Sequence, residues 1–191
     1  MKTLCVLALS LLALPALADN NQGFYLGAGA SSIKDYQDGV DNLSQIRAAE
    51  LFGGYKYNDA LGIELRLGSG KKAGTSNVYF DKAGTLQSGN LEREIGSYQS
   101  LYYKPELVND EAKLYALLGY THLSSTRKVF DAAGKVIADE SKDGSASGFS
   151  YGVGIGFVIN EHFNINFEYK NISEEVSGKP NLASVNVDYR F

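Results

Sequence analysis

His122 and Ser124 have the residue types and the spacing of a general base and a nucleophile. Residues two apart in a strand lie on the same face of a sheet, so an extended backbone brings the imidazole and the hydroxyl to one side. Such a pair could hydrolyse an ester if a third, acidic group oriented the histidine. The other histidine, His162, lies in a short predicted turn where the sequence offers it no partner. We interpret both histidines as polar residues near strand ends.

Metal chemistry has one candidate segment, an acidic stretch that contains Asp35, Asp38, Asp41 and Asn42. Carboxylate and amide oxygens are the ligands that calcium prefers, but the stretch lacks the closing Glu of an EF-hand loop. The chain has one Cys and no spaced pair of histidines, so a zinc site is not predicted. We therefore interpret 33–45 as a solvated acidic loop and predict neither a metal nor another cofactor.

The bulk composition resembles that of an average water-soluble domain. The chain has 191 residues, of which 44% are apolar and 21% charged, with a net charge of -4 and a mean hydropathy of -0.18. This length fits one domain, and the negative charge gives no basic footprint for nucleic acid. The 21 Gly, 13 Tyr and 9 Phe, against 3 Pro and no Trp, indicate many strands.

Residues 1–18 have the organisation of a secretory signal peptide. Lys2 supplies the positive charge, 4–14 form an apolar run, and Ala16-Leu17-Ala18 offers small residues at a cleavage site. The apolar run is shorter than the roughly 20 residues that a spanning helix needs. We predict that 1–18 are removed during export and that 19–191 form one mature domain.

Apolar and polar residues alternate along most of the remaining chain, which is typical of strands with one apolar and one polar face. The clearest alternation runs through 61–68, 149–159, 163–170 and 183–191. Weaker alternation marks 23–32, 46–57, 95–104 and 113–124. In the last two of these segments the sequence does not decide which face is which. Strands of about 10 residues match the length of a tilted transmembrane strand.

The connections between these strands alternate between two lengths. Short links are predicted after the even-numbered strands, at 58–60, 106–112 and 160–162. Longer polar segments follow the odd-numbered strands, at 33–45, 70–94, 125–147 and 172–181. This alternation predicts an up-and-down meander whose long loops all lie at one end.

One face of these strands is almost entirely apolar, whereas the opposite face combines charged residues with Gly and Ser. Four acids and four bases lie on the polar face: Glu50, Glu64, Glu168, Asp188, Lys56, Arg66, Lys170 and Arg190. A soluble barrel would bury the apolar face instead, and alternation alone does not exclude it. Predicted export, aromatic residues near strand ends and balanced charge favour a membrane-spanning barrel. We therefore predict an all-β, eight-stranded antiparallel up-and-down transmembrane β-barrel whose lumen holds these eight residues as mutually neutralising partners.

Three segments resemble the small eight-stranded outer-membrane barrels of Gram-negative bacteria, the group of the OmpA barrel, OmpX and the opacity proteins. They are the opening 23–29, the hairpin segment 53–59 and the C-terminal 185–191. The alternating Val187, Tyr189 and Phe191 are similar to the C-terminal signal that the barrel-assembly machinery reads. The resemblance implies export to the bacterial outer membrane, contact with its lipid and lipopolysaccharide, and passage through that machinery during biogenesis.

The resemblance also bears on function. The His122 and Ser124 spacing is similar to a pair in lipid A deacylases, which carry it on a late strand, but the late segment 167–171 contains no His. We therefore expect a monomeric, non-enzymatic barrel whose outer loops have a structural, envelope or adhesin-like role and contact a host or envelope ligand. A narrow channel for ions or small solutes is the alternative, although eight strands leave an interior only wide enough for side chains. A lipid A-modifying hydrolase is the least favoured hypothesis.

Overall fold

The computed structural model describes residues 22–34, 45–82, 85–137, 142–173 and 180–191. The predicted signal peptide and the acidic residues that we interpret as part of a solvated loop, Asp35, Asp38, Asp41 and Asn42, lie outside these described residues. Nearly all of the described chain is in strands. The strands are β1 (Gly23–Lys34), β2 (Ile46–Asn58), β3 (Leu61–Lys72), β4 (Gly74–Lys82), β5 (Thr85–Val108), β6 (Ala112–Phe130), β7 (Lys142–Val158), β8 (Phe163–Ser173) and β9 (Asn181–Arg190).

Eight of these strands close into an antiparallel barrel, so the predicted fold class is confirmed. The strands pair in the order β1–β2–β3–β5–β6–β7–β8–β9, and β9 pairs with β1 to close the ring. The closing register runs from Tyr25 opposite Arg190 to Lys34 opposite Asn181. Closure pairs the first barrel strand with the last, which satisfies backbone groups that lipid cannot hydrogen-bond.

The two faces of the barrel are inverted relative to a soluble protein. Large apolar side chains point outward and stay exposed, among them Leu51 (64%), Leu101 (59%) and Val153 (59%). Charged side chains such as Arg66 and Glu64 point inward and are buried. No helix among the described ranges is long and apolar enough to span a membrane. The exposed apolar belt and the buried charges together identify the outer face of the barrel as the lipid-facing one.

Two segments predicted as long loops are largely strand, and the loop prediction was wrong there. β4 pairs with the first part of β5, so most of 70–94 forms a hairpin. β6 continues to Phe130 and β7 begins only at Lys142, so the connection is confined to the middle of 125–147. The prediction failed because most residues in these strand extensions are polar, which makes their alternation weak.

The three short links share one local arrangement. Asn58, Asn109 and Asn160 each accept a hydrogen bond at Oδ1 from the backbone N–H two residues further on, at 2.9, 3.0 and 2.9 Å. Asparagine closes a turn in this way through contacts within the turn itself. All three links lie at the barrel end opposite the strand extensions, as the alternating link lengths predict.

The apolar belt makes the effect of an added charge dependent on its position. Val187 on the outer face of β9 is 45% exposed, and we expect Val187→Lys to destabilise the barrel. The cost should be about 2–4 kcal/mol, because a cation near the bilayer midplane has no partner there. Assembly is measured by the migration difference between boiled and unboiled samples on cold SDS gels.

The matched control for this change is Tyr79→Lys. Tyr79 lies on β4, is 73% exposed and sits in the extension beyond the belt, where water can solvate the new charge. We expect this variant to keep the folded, faster-migrating band. An equal loss of that band in both variants would contradict the lipid-facing role of the belt.

Candidate functional site

The eight residues predicted to form a polar network all lie inside the barrel. Each occupies an inward position of its strand, and none is more than 6% exposed. They come from β2, β3, β8 and β9, which closure of the ring arranges around one lumen. Burying this many charges lowers the stability of the barrel unless each charge has a partner. The contacts therefore show whether the residues form a paired polar core or a set of charges available to a ligand.

Arg66 lies at the centre of the network and binds three carboxylates. Its Nη1 and Nη2 donate to Glu168 Oε2 and Oε1 at 2.6 and 2.7 Å, which makes a bidentate pair. Its Nη1 also donates to Glu50 Oε1 at 3.2 Å, and its Nε donates to Glu64 Oε1 at 2.5 Å. The ring of Phe52 covers the guanidinium with its centroid 4.7 Å from Cζ. Arginine suits this position because its planar fork presents several fixed donors.

Lys170 is the second cation of this part of the lumen. Its Nζ donates to Glu50 Oε1 and Oε2 at 3.1 and 3.0 Å and lies 3.2 Å from Glu168 Oε2. Arg66 and Lys170 therefore share Glu50 and Glu168 across strands that are far apart in sequence. The arrangement ties β2, β3 and β8 together through the barrel interior.

Nearer the short turns, three charged residues that the sequence reasoning missed complete the network. Lys104 Nζ donates to Glu64 Oε2 at 3.1 Å, and Lys113 Nζ donates to Asp188 Oδ2 at 3.0 Å. Glu106 Oε1 lies 2.5 Å from Lys56 Nζ and 3.5 Å from Arg190 Nη2. Lys104 and Lys113 were missed because the inward face of β5 and β6 was not decided by their sequences. Glu106 was missed because 106–112 was predicted as a short link, whereas β5 continues to Val108.

The complete network is close to neutral. Its members in the described strands are the cations Lys56, Arg66, Lys104, Lys113, Lys170 and Arg190 and the carboxylates Glu50, Glu64, Glu106, Glu168 and Asp188. Every one of them makes at least one ion pair within 4.0 Å. Mutual pairing at this level makes the network a polar core that stabilises the barrel rather than a set of charges free to bind a ligand.

Buried tyrosines donate to three of the carboxylates. Tyr25 Oη donates to Glu64 at 2.7 Å, Tyr98 Oη to Glu50 at 2.9 Å, and Tyr115 Oη to Glu168 at 2.6 Å. Sequence reasoning considered aromatic residues only near strand ends, at the membrane interfaces. One signal in the sequence was missed. Tyr25 alternates with the outward apolar residues of β1, which places its side chain on the inward face.

Each of these tyrosines lies over a glycine of the neighbouring strand. In register, Gly54 is opposite Tyr25, Gly68 is opposite Tyr98, and Gly154 is opposite Tyr115. A Cβ added at any of the three glycines would overlap the tyrosine ring beside it. The glycines therefore make room for aromatic rings in an interior that eight strands leave narrow.

An apolar layer lies across the outer end of the lumen, above the charges. Its members are Ile33, Ile46, Ala48, Ile95, Tyr98, Leu123, Ile172 and Leu182. Ile33 and Ile172 fall in segments that were predicted as loops, although each continues the alternation of its strand. This layer would have to be displaced before hydrated ions could pass through the barrel.

His122 and Ser124 have different partners, so they do not form the nucleophile and base considered from their spacing. His122 Nδ1 lies 2.6 Å from Ser147 Oγ on β7, whereas Ser124 Oγ lies 3.1 Å from Ser97 Oγ on β5. Among the hydrogen bonds of the described strands, none joins His122 to a carboxylate. The same part of the chain contains no group of three or more His, Cys, Asp and Glu that could hold a metal ion.

His162 has a partner that the sequence did not reveal. Its Nδ1 lies 3.0 Å from the carbonyl oxygen of Arg190, and its ring stacks on Tyr189 with the centroids 5.2 Å apart. Tyr189 also contacts the rings of Phe163 and Phe191 edge-on, at 5.0 and 5.1 Å. The C-terminal residues thus form part of an aromatic cluster at the end of the barrel that carries the short turns.

Val187, Tyr189 and Phe191 lie on the outer side of the barrel wall. Val187 is exposed, and the other two side chains are half-buried. The backbone N–H of Phe191 donates to the carbonyl oxygen of Phe24 at 3.0 Å, so the C-terminus is tied to β1. Their recognition by the barrel-assembly machinery stays a prediction.

A closed barrel with an apolar outer belt and a charged, filled lumen is the architecture of a membrane-spanning β-barrel. The chain belongs to the outer membrane protein beta-barrel domain family, whose profile matches residues 4–191. A comparison with curated protein sequences gives no match.

Solved structures share the fold. Ail of Yersinia pestis, crystallised with the heparin analogue sucrose octasulfate, is 21% identical, with 90% of this chain and 99% of that chain covered and a TM-score of 0.57. Neisserial surface protein A is 13% identical, with 91% and 100% covered and a TM-score of 0.56. The N-terminal barrel of Pseudomonas aeruginosa OprF is 14% identical, with 89% and 99% covered and a TM-score of 0.55. The family and these neighbours indicate a protein of the bacterial outer membrane.

The network predicts a strong and non-additive response to loss of Arg66. Arg66→Met leaves three carboxylates without their shared cation, and we expect the free energy of unfolding to fall by about 3–5 kcal/mol. Adding Glu168→Gln should restore part of this loss, because it removes one of the unpaired buried charges. Both are measured by urea unfolding of the refolded protein in lipid vesicles. Losses that simply add in the double variant would contradict the shared-cation geometry.

The glycine and tyrosine pairs predict an effect that depends on the face of the strand. Gly54→Ala places a Cβ against the Tyr25 ring, and we expect a loss of about 1–3 kcal/mol from overpacking. Gly53→Ala is the matched control, because its Cβ points outward, where the one close neighbour is the movable Leu26 Cδ2 at 2.8 Å and the Tyr25 carbonyl oxygen lies at an ordinary contact distance of 3.7 Å. The measurement is the temperature at which the unboiled band is lost on SDS gels. Equal shifts in the two variants would refute the close packing.

Proposed function

We propose that this chain is a monomeric, non-enzymatic outer-membrane protein that acts through its outer surface as an adhesin-like protein. The proposal rests on the unequal lengths of its strands. β5, β6 and β7 have 24, 19 and 17 residues, whereas β8 and β9 have 11 and 10. A bilayer needs only about 10 residues per strand, so the additional residues serve something other than crossing it.

These additional residues form one sheet beyond the belt, which we call the outer wall. It consists of β4 together with 85–96 of β5, 122–130 of β6 and 142–148 of β7. From Leu101 in the belt to the start of β5 at Thr85 the chain covers about 50 Å of strand. The wall therefore projects well beyond the membrane on one side of the barrel.

The outer wall is a packed structure. On one face it buries Leu91, Ile95 and Val129, which are at most 3% exposed. Its other side chains include the exposed Tyr79 and the exposed cation Lys128. A surface that is already ordered loses less conformational entropy on binding than a flexible loop does. This property supports a role in holding a partner.

The names of two structural neighbours agree with this role. Ail is by name an attachment invasion locus protein, and the Neisserial protein is by name a surface protein. Their identity to this chain supports the shared fold, and the adhesin-like role is carried over as part of the proposal. The ordered outer wall is the observation on which the proposal depends.

Two features argue against the alternatives. The apolar layer and the paired charges fill the lumen in the described residues, which disfavours a channel for ions or small solutes. His122 and Ser124 form hydrogen bonds with Ser147 and Ser97 instead of with each other, which disfavours a lipid A-modifying hydrolase. Neither the family nor the neighbours reported above carry the name of an enzyme.

The test is a trimmed variant that lacks the wall tip. Residues 78–89 are replaced by Asn-Gly, which joins the paired Asn77 and Asn90 by a two-residue hairpin turn. The wild-type chain, displayed on a non-adherent Gram-negative strain, should increase attachment to cultured epithelial cells several-fold. The trimmed variant should return attachment to the background of the strain, while its heat-modifiable band shows that the barrel is folded.

Several outcomes would overturn the proposal. Equal attachment by the wild-type and trimmed chains would show that the wall is not the contact surface, and no increase with the wild type would remove the adhesin-like role. An altered lipid A mass in the expressing cells would indicate an enzyme. Stepwise ion conductance by the purified wild type in planar bilayers would indicate a channel.

A further inference from the structure

The outer wall has one face that points away from the barrel axis, which we call the outward face. The opposite face buries Leu91, Ile95 and Val129, and Ile95 belongs to the apolar layer across the lumen. Side chains alternate between the two faces along each strand. Tyr79 is paired with Ser88, which lies three residues before Leu91, so both side chains point outward. The outward face is therefore the side of the wall that an approaching surface meets.

Two asparagines lie opposite each other in the middle of the outward face. Asn77 of β4 is paired with Asn90 of β5, and both side chains are exposed. Asparagine is depleted in strands, so a pair of them on neighbouring strands is unusual. The amides of Asn58, Asn109 and Asn160 close turns, whereas these two make no hydrogen bond with the described part of the chain. Their donors and acceptors are available to a ligand.

Aromatic rings lie on both sides of this asparagine pair. Phe130 of β6 is opposite Asn90, and Tyr79 lies two residues beyond Asn77 towards the end of β4. Two strand spacings and one two-residue step separate the rings, so their Cα atoms are about 12 Å apart. Tyr79 is 73% exposed and Phe130 is half-buried. Apolar ring surface therefore borders the two amides on either side.

Nearer the belt, the outward face carries a negative charge. Glu92 lies opposite Lys128, and Glu94 lies opposite Thr126, which is itself opposite Asp143. Three carboxylates thus accompany one cation, and none of them lies within 4.0 Å of a cation of the described chain. Unpaired carboxylates repel a sulfated or phosphorylated polymer. The charge of this face therefore favours an uncharged partner.

We propose that the outward face binds a neutral oligosaccharide on the surface of another cell. A sugar ring has apolar C–H groups on its faces and hydroxyl groups around its edge, so it packs on aromatic rings and pairs with planar amides. Sugar units over Tyr79 and Phe130 bring their hydroxyl groups to the amides of Asn77 and Asn90. This inference rests on the proposed adhesin-like role, because it names the chemical class of the partner.

The test measures the binding of defined neutral oligosaccharides to the protein in lipid nanodiscs, because detergents with sugar headgroups would compete. The wild type is applied to an array of neutral oligosaccharides, and its affinity for the strongest ligand is then measured by titration. Asn77→Ala with Asn90→Ala should bind that ligand about 10-fold more weakly, since two hydrogen-bonding groups are lost. Tyr79→Ser should weaken binding similarly, whereas Tyr79→Phe keeps the ring and should retain most of the affinity.

The matched control is Gln99→Ala with Ser145→Ala. Both side chains are polar and exposed but lie nearer the belt, so this variant should bind as the wild type does. A heparin fragment is the charged probe and should bind more weakly than the neutral ligand. Glu92→Gln with Glu94→Gln should strengthen heparin binding and leave the neutral ligand unaffected. The heat-modifiable band of each variant is recorded first, so that a loss of binding is not confused with a loss of fold.

The inference is overturned if the wild type binds no neutral oligosaccharide, or if the Asn77 and Asn90 variant binds as well as the wild type. Stronger binding of the heparin fragment would identify a polyanion as the partner instead. A preference for the core oligosaccharide of the displaying strain would contradict a partner on another cell. Oligosaccharide binding without attachment would remove the adhesin-like role and keep this site. Attachment without oligosaccharide binding would keep the role and remove the site.

Discussion

Lipid cannot hydrogen-bond to a backbone, and this constraint determines most of the structure. It requires the first and last strands to pair, as β1 and β9 do. A ring of eight strands then has an interior that only side chains can fill. The inward glycines opposite Tyr25, Tyr98 and Tyr115 follow from this limited space, since the rings lie where other residues would carry a Cβ. The lipid surroundings also account for the outer belt, because only apolar side chains are stable against lipid.

The interior charges behave as the core of this inverted protein. Arg66 and Glu168 are 102 residues apart in sequence, yet their bidentate pair joins β3 to β8 through the lumen. A one-residue slip of either strand would turn its charged partner toward lipid, so the network also favours one register. Its members are engaged with one another and with tyrosine hydroxyls, which leaves the outer surface as the part of the protein available to partners.

The outer wall on β4 to β7 is the part of that surface that stands beyond the membrane. It is a packed sheet and supports the proposed contact with other cells. The apolar layer separates it from the charged lumen.

The sequence by itself determined the membrane-spanning parts of the eight barrel strands and much of the polar core, because alternation with a period of two persists in any sheet. It identified eight lumen residues on β2, β3, β8 and β9, where one face is cleanly polar. It could not assign the faces of β5 and β6, where Tyr and Leu occur on both sides, so Lys104 and Lys113 were missed, and it placed Glu106 in a link instead of in β5. Only the tertiary structure decided these faces, the Gly54 and Tyr25 pairing and the outer wall. Each depends on which residue lies opposite which in a neighbouring strand, and ring closure sets that register through contacts between residues distant in sequence.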